Sequence, residues 1–290
     1  MAVFAVLAGV ALLLGGCSEV SKLVRDAASR AEEAGAGEAG SRVESVLEDV
    51  TRRVSGVADR YHTTLKGDTT SFTVTASDAA DSYALVVKDL YFTTTDGIEL
   101  VVEPADGEAA SVTVECPEDM LDYGLRAGIE DGVITVSCDR ERAFTCGGFR
   151  ITVKGTCGDI YVGTGMDVDI DAAGAEKFSF RVDGAASGDI TSLDAGDAKL
   201  EINGAANLKL SGRAGDFSAV INGAGELDAE ELACDSADVT VNGAASVVIA
   251  VDGKLDAVLR GAGSIKYIGD PEVTQEISGL GTIEKAKTDE

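Results

Sequence analysis

From Tyr161 to the end of the chain, apolar and polar positions alternate. Leu200, Ile202, Leu208 and Leu210 are separated by Lys199, Glu201, Lys209 and Ser211. A period of two points successive side chains to opposite sides of an extended chain, so these runs predict strands with one buried face. A short phrase interrupts them: an apolar residue, a polar one, glycine, then small residues. It reads Val182-Asp183-Gly184-Ala185-Ala186, Ile202-Asn203-Gly204-Ala205-Ala206, Ile221-Asn222-Gly223-Ala224-Gly225, Val241-Asn242-Gly243-Ala244-Ala245, Leu259-Arg260-Gly261-Ala262-Gly263 and Ile277-Ser278-Gly279-Leu280-Gly281, with a looser copy at Val162-Gly163-Thr164-Gly165. From Gly163 the glycine steps are 21, 20, 19, 20, 18 and 18 residues, which predicts stacked coils rather than one closed core.

Strands running in one direction, about 20 residues per coil, are satisfied by a parallel β-helix. At the corners Gly184, Gly204, Gly223, Gly243, Gly261 and Gly279 are expected to bend the chain with positive φ. The small residue beside each leaves room for the next coil about 4.8 Å away. Asp183, Asn203, Asn222 and Asn242 fall at matching positions, so they are expected to stack and share side-chain hydrogen bonds as an amide ladder.

Upstream the strand signals are less regular: Ser71–Thr75, Ala84–Leu90, Gly97–Val102, Ser111–Cys116 and Gly132–Cys138, with turn signals at Asp106-Gly107 and Asp131-Gly132. Ser111–Cys116 and Val133–Cys138 match position for position 22 residues apart, which suggests successive coils. Before them, Ser18–Ala34 has only a weak helical stripe, broken by glycines up to Gly40. A helix is predicted from Ser41, capped through Glu44, with Val43, Val46, Leu47, Val50, Val54 and Val57 on one face. It is expected to cover the N-terminal end of the stack; a coiled-coil stalk is the alternative. Residues 2–16 are an apolar run short for a bilayer span, ending in Leu14-Gly15-Gly16-Cys17. This reads as a lipoprotein signal, with Cys17 taking the lipid and becoming the mature N-terminus, although no Lys or Arg precedes the run. Four segments follow: a signal with lipobox at 1–17, a helical tether or cap at 18–66, irregular early coils at 67–158 and regular repeats at 159–290.

The serial Gly-small-Gly corners, the stretch from Gly261 through Ser264-Ile265-Lys266-Tyr267-Ile268-Gly269-Asp270-Pro271 and the closing Ile277–Ile283 together resemble the bacterial family named putative auto-transporter adhesin, head GIN domain. The resemblance covers roughly residues 69 to 287 and implies a right-handed β-helix outside the cell, with no catalytic residues to carry over. This chain departs from it by using Ala where the family tends to have Gly-Ser-Gly, and by its cysteines and helical leader.

Charge narrows the partners. The formal net charge is −27, and residues 67–290 carry 42 Asp and Glu against 16 Lys and Arg. Such a surface repels phosphate backbones and anionic lipid, which argues against nucleic acid and against a polybasic membrane patch. It suits solubility outside the cell, or a cation-bridged contact.

Setting Cys17 aside leaves Cys116, Cys138, Cys146, Cys157 and Cys234, which an exported protein can oxidise. Cys116 with Cys138, on matching coil positions, and Cys146 with Cys157, flanking the strand Phe149–Lys154, are candidate disulfides; Cys234 is the expected free thiol. Zinc lacks its ligands, since there is no Cys-x-x-Cys and the sole His is His62, read as a surface residue. Asp167, Asp169 and Asp171 alternate with Val168 and Ile170 but lack the glycine and glutamate of a calcium loop, so they read as the outward side of a strand. Glycine pairs such as Gly163 and Gly165 precede no helix and are not dinucleotide loops. No cofactor or metal is expected. The function expected is that of a non-enzymatic envelope lipoprotein, membrane-anchored and facing outward, that binds a glycan, a protein or its own kind. The alternatives are a β-helix enzyme acting on acidic polysaccharide and a self-assembling scaffold.

Overall fold

The computed structural model describes residues 63–64, 68–77, 80–90, 92–94, 96–138 and 144–286. The lipobox with Cys17, the tether and helix of residues 18–62, and His62 lie outside the described residues. The chain divides into two units. The described residues of the smaller one, 63–64, 92–93 and 144–146, all lie in short strands. The larger one, residues 67–90, 94–139 and 147–290, carries the repeats.

In that unit the alternation becomes a β-solenoid of about six turns. The long strands Ala185–Ile202, Ala205–Ile221, Ala224–Val241 and Ala244–Leu259 each run most of the way round a coil. Each pairs in parallel with the next: Ala185–Ile190 with Ala205–Leu210 on a first face, Leu193–Ala195 with Gly212–Ala214 across a short connecting stretch, and Asp197–Ile202 with Asp216–Ile221 on a second face. Between the faces the chain bends at Ser192 with φ 56° and at Gly212 with φ 123°. The bend also absorbs differences in coil length. Ala229 and Ala233 pair with the adjacent Ile249 and Ala250, three residues extra, while Cys234 and Ser236 pair with Val251 and Lys254, one residue fewer, so the coil after Gly223 is two residues longer than its successor.

Inward positions stack as apolar columns. Val162, Val182, Ile202, Ile221, Val241 and Leu259, which end each second-face strand, are all buried, and so are Leu208, Leu227, Val247 and Ile265 on the first face. Each buried side chain of this size contributes on the order of 2 kcal/mol by leaving water. Repetition of the column rather than one central cluster therefore holds the stack together.

The corner glycines are required for a reason other than the one expected from sequence. Gly184, Gly204, Gly223, Gly243, Gly261 and Gly279 are not among the residues with positive φ. A Cβ on Gly184 would lie 2.6 Å from the Thr164 carbonyl oxygen, and one on Gly204, Gly223, Gly243 or Gly261 would penetrate the carbonyl oxygen of the glycine one coil before. Backbone stacked on backbone, not a left-handed turn, excludes side chains here.

The early strands also differ from expectation. Ser111–Pro117 and Val133–Cys138 do not follow one another up the stack. The first pairs antiparallel with Thr69–Thr75 and Phe149–Lys154, the second parallel with Tyr83–Lys88 and antiparallel with Leu125–Glu130. They therefore stand on different faces. The Asp131-Gly132 turn, with φ 49° and 74°, reverses the chain between Leu125–Glu130 and Val133–Cys138, a left-handed pair suited to a tight hairpin. Coil order is not chain order either. Ile98–Glu103 pairs with both Phe149–Lys154 and Met166–Asp171, and Tyr83–Lys88 with both Val133–Cys138 and Cys157–Val162. The turn formed by Tyr83–Lys88 and Ile98–Glu103 is thus inserted between two turns that are consecutive in the chain.

Candidate functional site: a polar cleft beside a corner ladder

Two outward columns of the second face begin where the chain leaves the bend. Lys177, Asp197, Asp216, Ser236 and Lys254 lie one above another, and two residues further along so do Asp159, Ser179, Lys199, Ser218, Asp238 and Asp256. Between them runs the inward column of Phe178, Ala198, Phe217, Ala237 and Leu255, all buried. The columns line an open cleft of about 620 Å³ parallel to the stack, with five aspartates, three lysines and three serines along it. The spacing of its rungs is that of paired strands, about 4.8 Å.

Local pairs fix part of this lattice. Lys177 Nζ lies 2.9 Å from Asp197 and Lys254 Nζ 2.6 Å from Asp256, while the Ser236 hydroxyl donates to Asp216. The hydrogen bond from Lys254 holds the Asp256 carboxyl below the ordinary carboxylate range, and the bond to Asp197 raises Lys177. A general acid needs a carboxyl shifted the other way, so Asp256 is suited to binding rather than proton donation. No His or Cys lines the cleft. Among the described residues no group of three or more His, Cys, Asp or Glu converges in a metal-binding arrangement.

The expected ladder is present at the corner of the same face. Asn203 Nδ2 donates to Asp183 Oδ1 at 2.7 Å, Asn222 Nδ2 to Asn203 Oδ1 at 2.8 Å and Asn242 Nδ2 to Asn222 Oδ1 at 2.8 Å; Arg260 Nη1 donates to Asn242 Oδ1 at 3.5 Å. Every amide points the same way, a carboxylate receiving the last proton and a guanidinium supplying the first. At the acidic end Arg181 binds Asp183 through Nε and Nη2, both at 3.2 Å, stands 3.6 Å from Glu201, and lies over the Tyr161 ring at 5.9 Å. Partial burial of Asp183 pushes its pKa up, but hydrogen bonds from Asn203, Arg181 and Tyr161 outweigh it, and the net shift is downward.

The remaining candidates fall elsewhere. Asp167 and Asp169 are exposed on the first face, with Val168 and Ile170 buried beneath, as the alternation indicated. The Ser187 hydroxyl donates to Asp167 at 2.5 Å. Cys116, Cys138, Cys146, Cys157 and Cys234 are all buried. The proposed Cys116–Cys138 bridge assumed adjacent coils, whereas Cys116 belongs to the first face and Cys138 to the second, where its thiol donates to the Tyr123 carbonyl at 3.3 Å. Burial raises Cys116 to about 11 and Cys157 and Cys234 to about 12. The cleft was not anticipated from sequence, yet its signal was there: Lys177, Asp197, Asp216, Ser236 and Lys254 recur at steps of 20, 19, 20 and 18, the same period as the corners.

A stack of parallel coils carrying an open polar cleft along one face belongs to the class of β-solenoid repeat folds. The chain belongs to the family described as putative auto-transporter adhesin, head GIN domain, which it matches over residues 93–271. Its fold is similar to that of a putative adhesin from Bacteroides fragilis, with a TM-score of 0.65 and 18% identity, covering 77% of this chain and 100% of that one. A putative adhesin from Parabacteroides distasonis has a TM-score of 0.54 and 22% identity over 78% of this chain and 100% of its own. A putative lipid binding protein from the same species has a TM-score of 0.52 and 15% identity, again over 78% and 100%. At these identities the likeness is one of fold. No curated protein matches the chain in sequence.

Proposed function

We propose that this protein is a non-enzymatic, adhesin-like component of the cell envelope, tethered to a membrane by lipid on Cys17, which holds a linear hydroxyl-rich polymer along the second-face cleft. The observation that carries the reading is the register: donors and acceptors repeat on every rung from Asp159 to Asp256. A repeating ligand can engage several rungs at once, so weak contacts add by effective concentration. The aromatics beneath the cleft, Phe178 and Phe217, are buried and offer no stacking platform, so each unit binds weakly and length matters. The excess of aspartate over lysine favours neutral or amino-bearing glycans over polyanions.

The test uses the full chain displayed on lipid vesicles and an array of neutral, amino-bearing and acidic glycans of graded length. Retention that rises with length and falls at least tenfold in Lys199→Glu and Asp238→Lys is expected. Absence of binding, or binding that ignores both substitutions, overturns the reading. Release of shortened sugars from any polymer would make the protein an enzyme instead.

A further inference from the structure

The last described coil consists of Glu272–Ile277 and Leu280–Lys285. Among the described residues each pairs on one side only, with Lys254–Leu259 and Ala262–Tyr267 respectively. Ile277 continues the inward column that is at most 2% exposed from Val162 to Leu259, yet it is 43% exposed itself. Leu280 ends a column of corner alanines, Ala185, Ala205, Ala224, Ala244 and Ala262, and is 85% exposed. Gln275 ends the inward column of Phe180, Leu200, Ala219, Val239 and Ala257. Unpaired strand edges beside exposed apolar side chains are templates for further pairing.

We infer that this end is a two-fold interface with a second copy of the chain, each terminal strand pairing antiparallel with its own copy. A two-fold axis across the end of the stack, directed from one face to the other, reverses strand direction and returns each face onto itself. In an antiparallel pair opposed residues point to the same side, so inward positions must meet inward positions. Centring the pairs on Gln275 and Ile283 achieves this on both faces. Val273 then meets Ile277, Gln275 meets Gln275 and Ile283 meets Ile283 inside, while Thr274 meets Glu276 and Thr282 meets Glu284 outside. No like charges are opposed, and the paired Gln275 amides satisfy each other as the asparagines of the ladder do. Two strand pairs make a small contact, in the range of weak association. The net charge of −27 opposes it, so salt strengthens it. The inference uses only the terminal coil and is independent of the cleft ligand.

The experiment is oxidative cross-linking of the full chain carrying Gln275→Cys, with Thr240→Cys, on an outward position in mid-stack, as control. Sedimentation of the uncross-linked protein at about 0.05 and 0.5 M salt accompanies it. A reducible dimer from Gln275→Cys only, mixed dimers between Thr274→Cys and Glu276→Cys copies, and a dimer fraction that rises with salt and falls at least tenfold in Leu280→Asp are expected. Leu280 is exposed in the single chain, so its substitution leaves folding intact and isolates association. Equal cross-linking at Thr240→Cys overturns the interface, as does no dimer from a Gln275→Cys protein that unfolds like wild type.

Discussion

Asn203 lies directly above Asp183, its Nδ2 donating to Asp183 Oδ1 at 2.7 Å, and this contact closes the chain of amides that climbs the corner to Arg260. Because the hydrogen bonds that Asp183 accepts from Asn203, Arg181 and Tyr161 favour its ionised form and outweigh its desolvation, its carboxyl titrates below the ordinary carboxylate value in the folded chain. A group whose pKa is depressed by folding stabilises the fold above its unfolded pKa and loses that contribution as pH falls through the folded one. Urea midpoints of wild type and Asp183→Asn are therefore expected to differ at about pH 6 and to converge below about pH 3. A gap that stays constant across that range would mean that Asp183 is not ionised in the fold.

Within the ladder, Asn222 both donates to Asn203 and accepts from Asn242. Asn222→Ala removes two hydrogen bonds at an exposed position, where water replaces part of what is lost, so a destabilisation of about 1 kcal/mol is expected. Asn222→Asp keeps the acceptor but loses the donor and places a carboxylate against Asn203 Oδ1. Its destabilisation is expected to shrink as pH falls and the new carboxyl regains a proton to donate, which chemical denaturation at two pH values measures.

The ladder and the inward columns were legible because each residue's partner sits one period away, and the period is written in the glycines. Asn203, Asn222 and Asn242 needed only alternation and a count of about twenty to be placed over one another. The early strands were not legible in the same way. Strand positions such as Val133–Cys138 followed from alternation, but which strand pairs with which depends on non-local contacts that no period records. The match between Ser111–Cys116 and Val133–Cys138 reflects shared β preference rather than adjacency. The reason for the corner glycines was likewise hidden: a clash with the carbonyl of the preceding coil exists only once the coils are stacked. The cleft went unseen because outward charged residues look alike in sequence, and only the register sets the two columns, two residues apart on each strand, along one depression.

Steric exclusion at the corners gives a sharp mutational contrast. Gly223→Ala places a methyl group inside the Gly204 carbonyl oxygen, and since both are backbone, neither side chain rotation nor water can relieve it. A loss of about 3 kcal/mol or more is expected, at the upper end of overpacking effects. Gly128→Ala, which meets nothing within 4 Å and needs no positive φ, is expected to change stability by less than about 0.5 kcal/mol. Thermal or urea unfolding of the two variants checks the contrast, and equal effects would show that the coils are not stacked glycine on glycine.

Thiol chemistry tests the cores of both faces together. Burial lifts Cys116 to about 11 and Cys157 and Cys234 to about 12, so at pH 8 the thiolate fraction of each is on the order of one part in a thousand or less. Cys138 and Cys146 are equally buried. Iodoacetamide at pH 8 is therefore expected to leave all five unmodified in the folded protein and to label all five in urea without any reductant, as read by peptide mass. Labelling that requires a reductant would place a disulfide between two of them, and rapid labelling of Cys234 in the folded state would mean that the coil from Ala224 to Val241 opens far more readily than its buried column implies.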